Sequence, residues 1–108
     1  MNDTNAPSAQ SLLSLQQVCR LLSDPTRWGL LRELAKGEAL PVSELAKRVG
    51  CRPDAISKQM ALMRRLGVAA TSYGGHYILA HAFRPPAGAT TLDFGHCIVR
   101  LNTSASAA

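Results

Sequence analysis

Half of the basic residues of this 108-residue chain lie in one stretch of nineteen positions. They are Lys47, Arg48, Arg52, Lys58, Arg64 and Arg65, and the stretch contains a single acid, Asp54. It carries all of the net charge of +5, because the six remaining basic residues are balanced by the six remaining acids. Charge concentrated in this way favours a surface that contacts phosphates. The alternative interpretation is a solvated helix face with no ligand.

Capping residues predict two helices for this stretch. Ser43 as an N-cap predicts a short helix over residues 44–49, which Gly50 ends. A second helix is predicted over residues 53–66, since it begins with a proline, which is suited to the first helical position. Two helices joined by a tight turn are typical of the helix-turn-helix motif, whose second helix enters the major groove of duplex DNA.

The second of these helices has one apolar and one polar side. Ile56, Met60 and Met63 recur at helical spacing and are predicted to face the core. The opposite stripe is polar, basic or small: Asp54, Ser57, Lys58, Ala61 and Arg65. Among the exposed types, Gln59 is suited to a paired hydrogen bond with adenine or to a phosphate contact, and Lys58 to guanine acceptors or phosphate. The remaining basic residues of the stretch are expected to hold phosphates and fix the register.

The motif is followed by residues that predict a β-wing. Residues 69–73 and 76–82 are expected to form two antiparallel strands joined by a two-residue glycine turn. Tyr73 and His76 flank the wing tip and are predicted to contact a phosphate or the minor groove. The alternative is that they are ordinary exposed strand residues. The complete set predicted to contact DNA is basic, polar or aromatic: Lys47, Arg48, Arg52, Asp54, Ser57, Lys58, Gln59, Arg64, Arg65, Tyr73 and His76.

The other elements complete a mainly α fold with a small β-wing, an α+β winged helix-turn-helix with about four helices. Residues 11–22 are predicted to form the first helix, and residues 25–36 the second, with Asp24 as its N-cap. Residues 90–101 are predicted to form a further extended segment.

One domain, over residues 11–101, is predicted to bind DNA and to dimerise, and residues 1–10 and 102–108 are predicted to be disordered tails. The first helix has more apolar surface than one core contact needs, which favours packing against a partner subunit. One apolar stripe is Leu12, Leu15, Cys19 and Leu22, and Leu13, Val18 and Leu21 widen it.

Five segments in this order and spacing resemble the ArsR/SmtB family of bacterial repressors. They are residues 22–27 (LSDPTR), 30–34 (LLREL), 42–46 (VSELA), 56–60 (ISKQM) and 66–68 (LGV). The resemblance covers about residues 12–83. It implies a homodimer that binds an inverted-repeat operator and is released by a small-molecule inducer.

Two features depart from the family pattern. Where arsenic- and cadmium-type sensors have a cysteine pair, this chain has Glu38, Ala39, Leu40 and Pro41. The region matching the family's C-terminal dimerising helix is proline-rich and then strand-like. Neither family metal site can be carried over, and no cofactor is predicted.

The cysteines and histidines leave two further hypotheses open. Cys51 lies in the basic turn beside Arg52, and the first hypothesis is that oxidation of this thiol weakens DNA binding. Cys19 is interpreted as a core residue because it lies on an apolar helical stripe. The second hypothesis is a metal site that bridges the wing and the C-terminal segment. Its candidate ligands do not have the spacing of a standard site: His76, His81, His96 and Cys97.

Several functional classes are disfavoured by the sequence. We find no catalytic triad, phosphate loop or paired carboxylate motif, so an enzyme is not expected. No segment is apolar enough to cross a membrane, the N-terminus does not resemble a secretory signal, and three cysteines without a CxxC pair fit a reducing compartment. We therefore expect a cytoplasmic protein. A winged helix that binds an acidic protein instead of DNA is the alternative from another class.

Overall fold

Four helices followed by two short antiparallel hairpins make up the part of the chain that the structure, a computed structural model, describes, residues 13–101. The elements in chain order are α1 (Leu15–Leu22), α2 (Pro25–Leu34), α3 (Val42–Val49), α4 (Pro53–Arg65), β1 (Ala69–Thr71), β2 (Tyr77–Leu79), β3 (Thr91–Asp93) and β4 (Ile98–Arg100). The predicted α+β winged helix-turn-helix class is confirmed. The predicted tails lie outside the described residues.

Side-chain caps set the starts of the first two helices. Ser14 Oγ accepts a hydrogen bond from the Gln17 N–H at 3.1 Å, and Gln17 Oε1 accepts one from the Ser14 N–H at 2.9 Å. Asp24 Oδ2 accepts from the Arg27 N–H at 3.0 Å, which confirms the predicted start of α2. The predicted end of α2 is two residues too late, because the helix already ends at Leu34.

The helix-turn-helix is formed by α3 and α4. The prediction of Ser43 as N-cap is wrong, because the Pro41 carbonyl already accepts from the Glu44 and Leu45 N–H groups at 3.1 and 3.0 Å. The helix therefore begins one residue before Ser43, at Val42. Gly50 ends α3 with φ 79°, in the left-handed region where a side chain is strained.

Substitution of Gly50 tests this turn. Gly50→Ala is expected to lower the free energy of unfolding by about 1–2 kcal/mol, because the added Cβ meets no neighbouring atom but the left-handed backbone disfavours it. Gly50→Asn is the matched control and should cost less, since asparagine tolerates this conformation better. Denaturant unfolding followed by circular dichroism measures both; equal stability of Gly50→Ala and the wild type would contradict the assignment.

One hydrophobic core joins all four helices to both hairpins. Each helix contributes fully buried residues to this core, for example Val18 of α1, Leu30 of α2, Leu45 of α3 and Ile56 of α4. From the strands and the segments around them come Leu79, Phe83, Leu92 and Phe94. The rings of Phe83 and Phe94 lie 5.6 Å apart between centroids, so the C-terminal hairpin is anchored to the segment that follows the wing.

The buried side of α1 differs from the stripe that the sequence favours. Val18 and Leu21 are buried, whereas Leu15 is 44% exposed and Cys19 is exposed. The interpretation of Cys19 as a core residue is therefore wrong. Two apolar stripes share this helix, and the one that includes Val18 packs against the domain.

The wing hairpin pairs Ala69 with Leu79 and Thr71 with Tyr77. Its strands are shorter than predicted, and the predicted two-residue turn is wrong. The Ser72 N–H donates to the His76 carbonyl at 2.6 Å, which encloses a three-residue loop that includes Tyr73. The paired strands therefore end at Thr71 and Tyr77, and Tyr73 and His76 lie outside them, while both glycines of the loop have positive φ.

The C-terminal segment is a hairpin of its own. The sequence predicts an extended segment over residues 90–101 with Gly95 as a bend or bulge, and the bend at Gly95 (φ 89°) is confirmed. The segment is not continuous, however, because β3 turns back there and pairs antiparallel with β4. Asp93 Oδ1 accepts from the Gly95 N–H at 2.7 Å and fixes the bend. Leu92 and Phe94 are buried, while Ile98 is 66% exposed.

Candidate nucleic-acid interface

The second helix of the motif, α4, is buried on one side and cationic on the other. Ile56, Met60 and Met63 have no solvent exposure. Lys58 and Arg65 are exposed. The predicted orientation of this helix is confirmed, and its basic side chains are available to a partner outside the domain.

Not every cation of the basic stretch is free to meet a phosphate. Arg48 Nε contacts Glu44 at 3.0 Å, and its Nη1 contacts Glu38 at 3.3 Å and Glu33 at 3.4 Å. The hydrogen bond to Glu44 is the main reason why the pKa of Arg48 is raised above its ordinary value. This network links α3 to α2, so Arg48 already has a structural role.

Arg52 has a weaker competitor for phosphate. Its Nε lies 3.2 Å from Asp54 Oδ1, and both side chains are largely exposed. An exposed pair of this kind exchanges easily for another anion because water screens it. Asp54 is predicted to lie on the DNA-facing stripe. In the protein without DNA its carboxylate contacts Arg52.

The other four basic residues of the stretch form no ion pair within residues 13–101. They are exposed and lie on α3 and α4: Lys47, Lys58, Arg64 and Arg65. Unpaired cations on one motif create the positive potential that attracts a polyanion. These four side chains form what we call the free-cation set.

Gln59 is fixed by a residue that the sequence did not single out. Its Oε1 accepts a hydrogen bond from Arg27 Nη1 at 3.1 Å. Arg27 also donates through Nε to the Leu21 carbonyl at 3.0 Å and through Nη2 to the Arg20 carbonyl at 2.8 Å. One arginine of α2 therefore connects the end of α1 to the DNA-facing helix.

The Arg27 contact changes what Gln59 offers to a ligand. One acceptor position of its side-chain oxygen is used, while its amide group remains a donor of two hydrogen bonds. The sequence offered one signal that Arg27 has a role, its position within the LSDPTR segment. The partners of its side chain are six or more residues away, so no local pattern predicts them. The predicted role of Gln59 in contacting adenine stays a prediction.

The wing tip presents one large side chain. Tyr73 is 98% exposed, between β1 and the two glycines of the loop, whereas His76 is half-buried. The wing is joined to the motif because α4 packs against β1. The predicted contacts of Tyr73 and His76 with DNA stay predictions.

The three thiols lie in different surroundings. Cys51 is half-buried, with its Sγ 3.7 Å from Thr26 Oγ1, so the redox role predicted for it remains a hypothesis. The pKa of Cys97 is raised mainly by burial, and also by Cys19 and Asp93. Within the described residues, no three His, Cys, Asp or Glu side chains come close enough together to hold a metal ion.

No helix within residues 13–101 combines the length and the apolar character that crossing a membrane requires.

Comparisons with known proteins agree with this geometry. A family model described as a helix-turn-helix domain matches residues 22–71. The HTH-type transcriptional regulator NmtR of Mycobacterium tuberculosis (strain ATCC 25618 / H37Rv) is 32% identical over 79 residues, which are 69% of this chain and 65% of NmtR. The chain thus spans slightly less than two thirds of that relative. No matching solved structure was found.

These matches are to a regulator and to a helix-turn-helix domain. The matched residues include α2, α3, α4 and the first wing strand, and all five segments that resemble ArsR/SmtB proteins lie within them. Sequence, fold and comparisons together show a winged helix-turn-helix domain that is similar to an HTH-type transcriptional regulator.

Proposed function

We propose that this protein binds double-stranded DNA through α4 and regulates transcription. The observation that carries the proposal is the division of α4 into a fully buried apolar side and an exposed cationic side. A helix with this division, placed second in a helix-turn-helix, is suited to the major groove.

The residues of the motif take different parts in the proposed contact. Ser57, Lys58 and Gln59 contact base edges, because they lie near the start of α4, the part that enters the groove first. The rest of the free-cation set contacts phosphates, which fixes the register without selecting a sequence. Arg52 joins them once a phosphate replaces Asp54 as its partner.

We also propose a homodimer on an inverted-repeat operator, which the apolar surfaces that the described residues leave exposed support. Leu15 and Cys19 on α1 and Ile98 on β4 are exposed apolar groups. Their burial against a second copy would place two α4 helices about a two-fold axis, and the operator would share that symmetry. The protein then acts in the cytoplasm, as a repressor that an inducer releases.

The salt dependence of binding tests the proposal. Duplexes selected by the purified protein from a random pool are titrated at several salt concentrations. Each subunit is proposed to contact phosphates through four cations, Lys47, Arg52, Arg64 and Arg65. Four such contacts in each of two subunits predict a log-log slope on the order of −7, since each phosphate contact contributes about −0.9. Failure to select any duplex, or selection of an acidic protein in its place, would contradict DNA binding.

A further inference from the structure

A small cavity lies between the end of α1 and the last turn of α4, with Arg27 of α2 at its edge. Its volume is about 240 Å³. Three leucines line it, Leu21, Leu62 and Leu66, together with two arginines, Arg20 and Arg27. No carboxylate is among the residues that line it, so the described part of the cavity is apolar and positively charged.

Within the described residues, Arg27 is a half-buried cation without a counter-charge. Its three side-chain hydrogen bonds all go to neutral oxygen atoms, two of the backbone and one of Gln59. An arginine has five N–H groups, so two remain to be used. Within residues 13–101 no carboxylate oxygen lies within 4.0 Å of its guanidinium, and a partly buried charge is stabilised by an anion.

We propose that this cavity binds a small carboxylate with an apolar body. The apolar part packs against the three leucines, and the carboxylate accepts hydrogen bonds from Arg27, with Arg20 beside it. The volume is below the range of about 300–1,000 Å³ that is usual for drug-sized ligands, so a single ring or a short chain fits.

Binding there is coupled to DNA through Gln59, a step that rests on the proposed function. A carboxylate forms stronger hydrogen bonds to a guanidinium than an amide oxygen does. A carboxylate bound to the two unused N–H groups of Arg27 therefore pulls the guanidinium toward the cavity, which lengthens its hydrogen bond to Gln59 Oε1 and loosens the link between α1 and the DNA-facing helix. Ligand and DNA then weaken each other's binding by the same factor.

The test begins with the protein free of DNA. Phenylacetate and hexanoate are titrated by calorimetry, with phenylacetamide as the neutral match. Phenylacetate is expected to bind about tenfold or more tightly than phenylacetamide, because only the carboxylate forms charge-assisted hydrogen bonds with Arg27. Arg27→Gln should lower phenylacetate affinity by about the same factor.

Two further variants locate the site. Leu62→Phe fills the cavity and leaves the hydrogen bonds of Arg27 intact, so it keeps the test valid if Arg27→Gln does not fold. Leu62→Phe should reduce the affinity for phenylacetate at least as strongly as Arg27→Gln does. Arg32→Gln is the matched control, because Arg32 lines a different cavity, of about 720 Å³, between α2 and the C-terminal segment. It should bind phenylacetate as the wild type does.

Three results would overturn the proposal: no phenylacetate binding, equal affinity for the acid and the amide, or loss of binding in Arg32→Gln instead of Leu62→Phe. The coupling is measured separately, as the affinity for a selected duplex with and without phenylacetate. A duplex affinity that phenylacetate leaves unchanged would refute the coupling alone. Phenylacetate binding by a protein that selects no duplex would refute the proposed function and leave the site standing.

Discussion

Replacing Lys58 and Arg65 together by alanine is expected to weaken binding to a selected duplex by roughly a hundredfold or more, with each single change contributing about tenfold. Both side chains are exposed on α4 and form no ion pair within residues 13–101. Their removal should therefore leave the fold intact and take away contacts with DNA alone. Fluorescence anisotropy at one fixed salt concentration measures the loss.

The single variants separate the two kinds of contact. Lys58→Ala, which removes a proposed base contact, should also discriminate less between the selected duplex and one changed at that base pair. Arg65→Ala, which removes a proposed phosphate contact, should bind all duplexes more weakly by the same factor and reduce the salt slope by about 1. Arg32→Ala is the control, since Arg32 lies on α2 outside the motif. If the double variant binds as the wild type does, the assigned DNA-facing side of α4 is wrong.

Met60→Ala is expected to lower the free energy of unfolding by about 2–5 kcal/mol, because it leaves a cavity in the core. Met60 is fully buried on α4, between Ile56 and Met63 along the apolar side. Met60→Leu keeps most of the volume and should cost less than about 1.5 kcal/mol. Denaturant unfolding measures both.

The comparison of these two substitutions tests the orientation of α4 independently of DNA. Met60 and Lys58 lie two positions apart, on different sides of the same helix. The core variant should change stability, and the surface variants should change affinity. A stable Met60→Ala protein would show that this side of α4 does not face the core.

Arg48 and Arg27 differ in whether their charge is neutralised by the residues around them. Arg48 lies on α3 of the helix-turn-helix and Arg27 on the preceding α2, yet Arg48 contacts three carboxylates while Arg27 contacts neutral oxygens. Arg48 thus contributes less free charge to the proposed DNA surface than its place in the sequence suggested. Arg27 contributes a connection between helices, and a charge that no carboxylate within residues 13–101 neutralises.

Local signals in the sequence determined where helices start and which side of α4 is buried. Asp24 and Pro25 set the start of α2 through contacts within one turn. The spacing of Ile56, Met60 and Met63 allowed a single apolar side, so the orientation of α4 was predictable. Each of these features depends on residues a few positions apart, which is the range that helical periodicity reports.

Tertiary structure decided what local signals left open. Two apolar stripes on α1 competed, and packing buried the one that contains Val18 and Leu21. The return of the C-terminal segment as a hairpin depends on Phe94 reaching Phe83. Arg48 meets Glu33 and Arg27 meets Gln59 across gaps of 15 and 32 residues. Such partners are chosen only when the helices pack, because no periodic pattern relates residues so far apart in the chain.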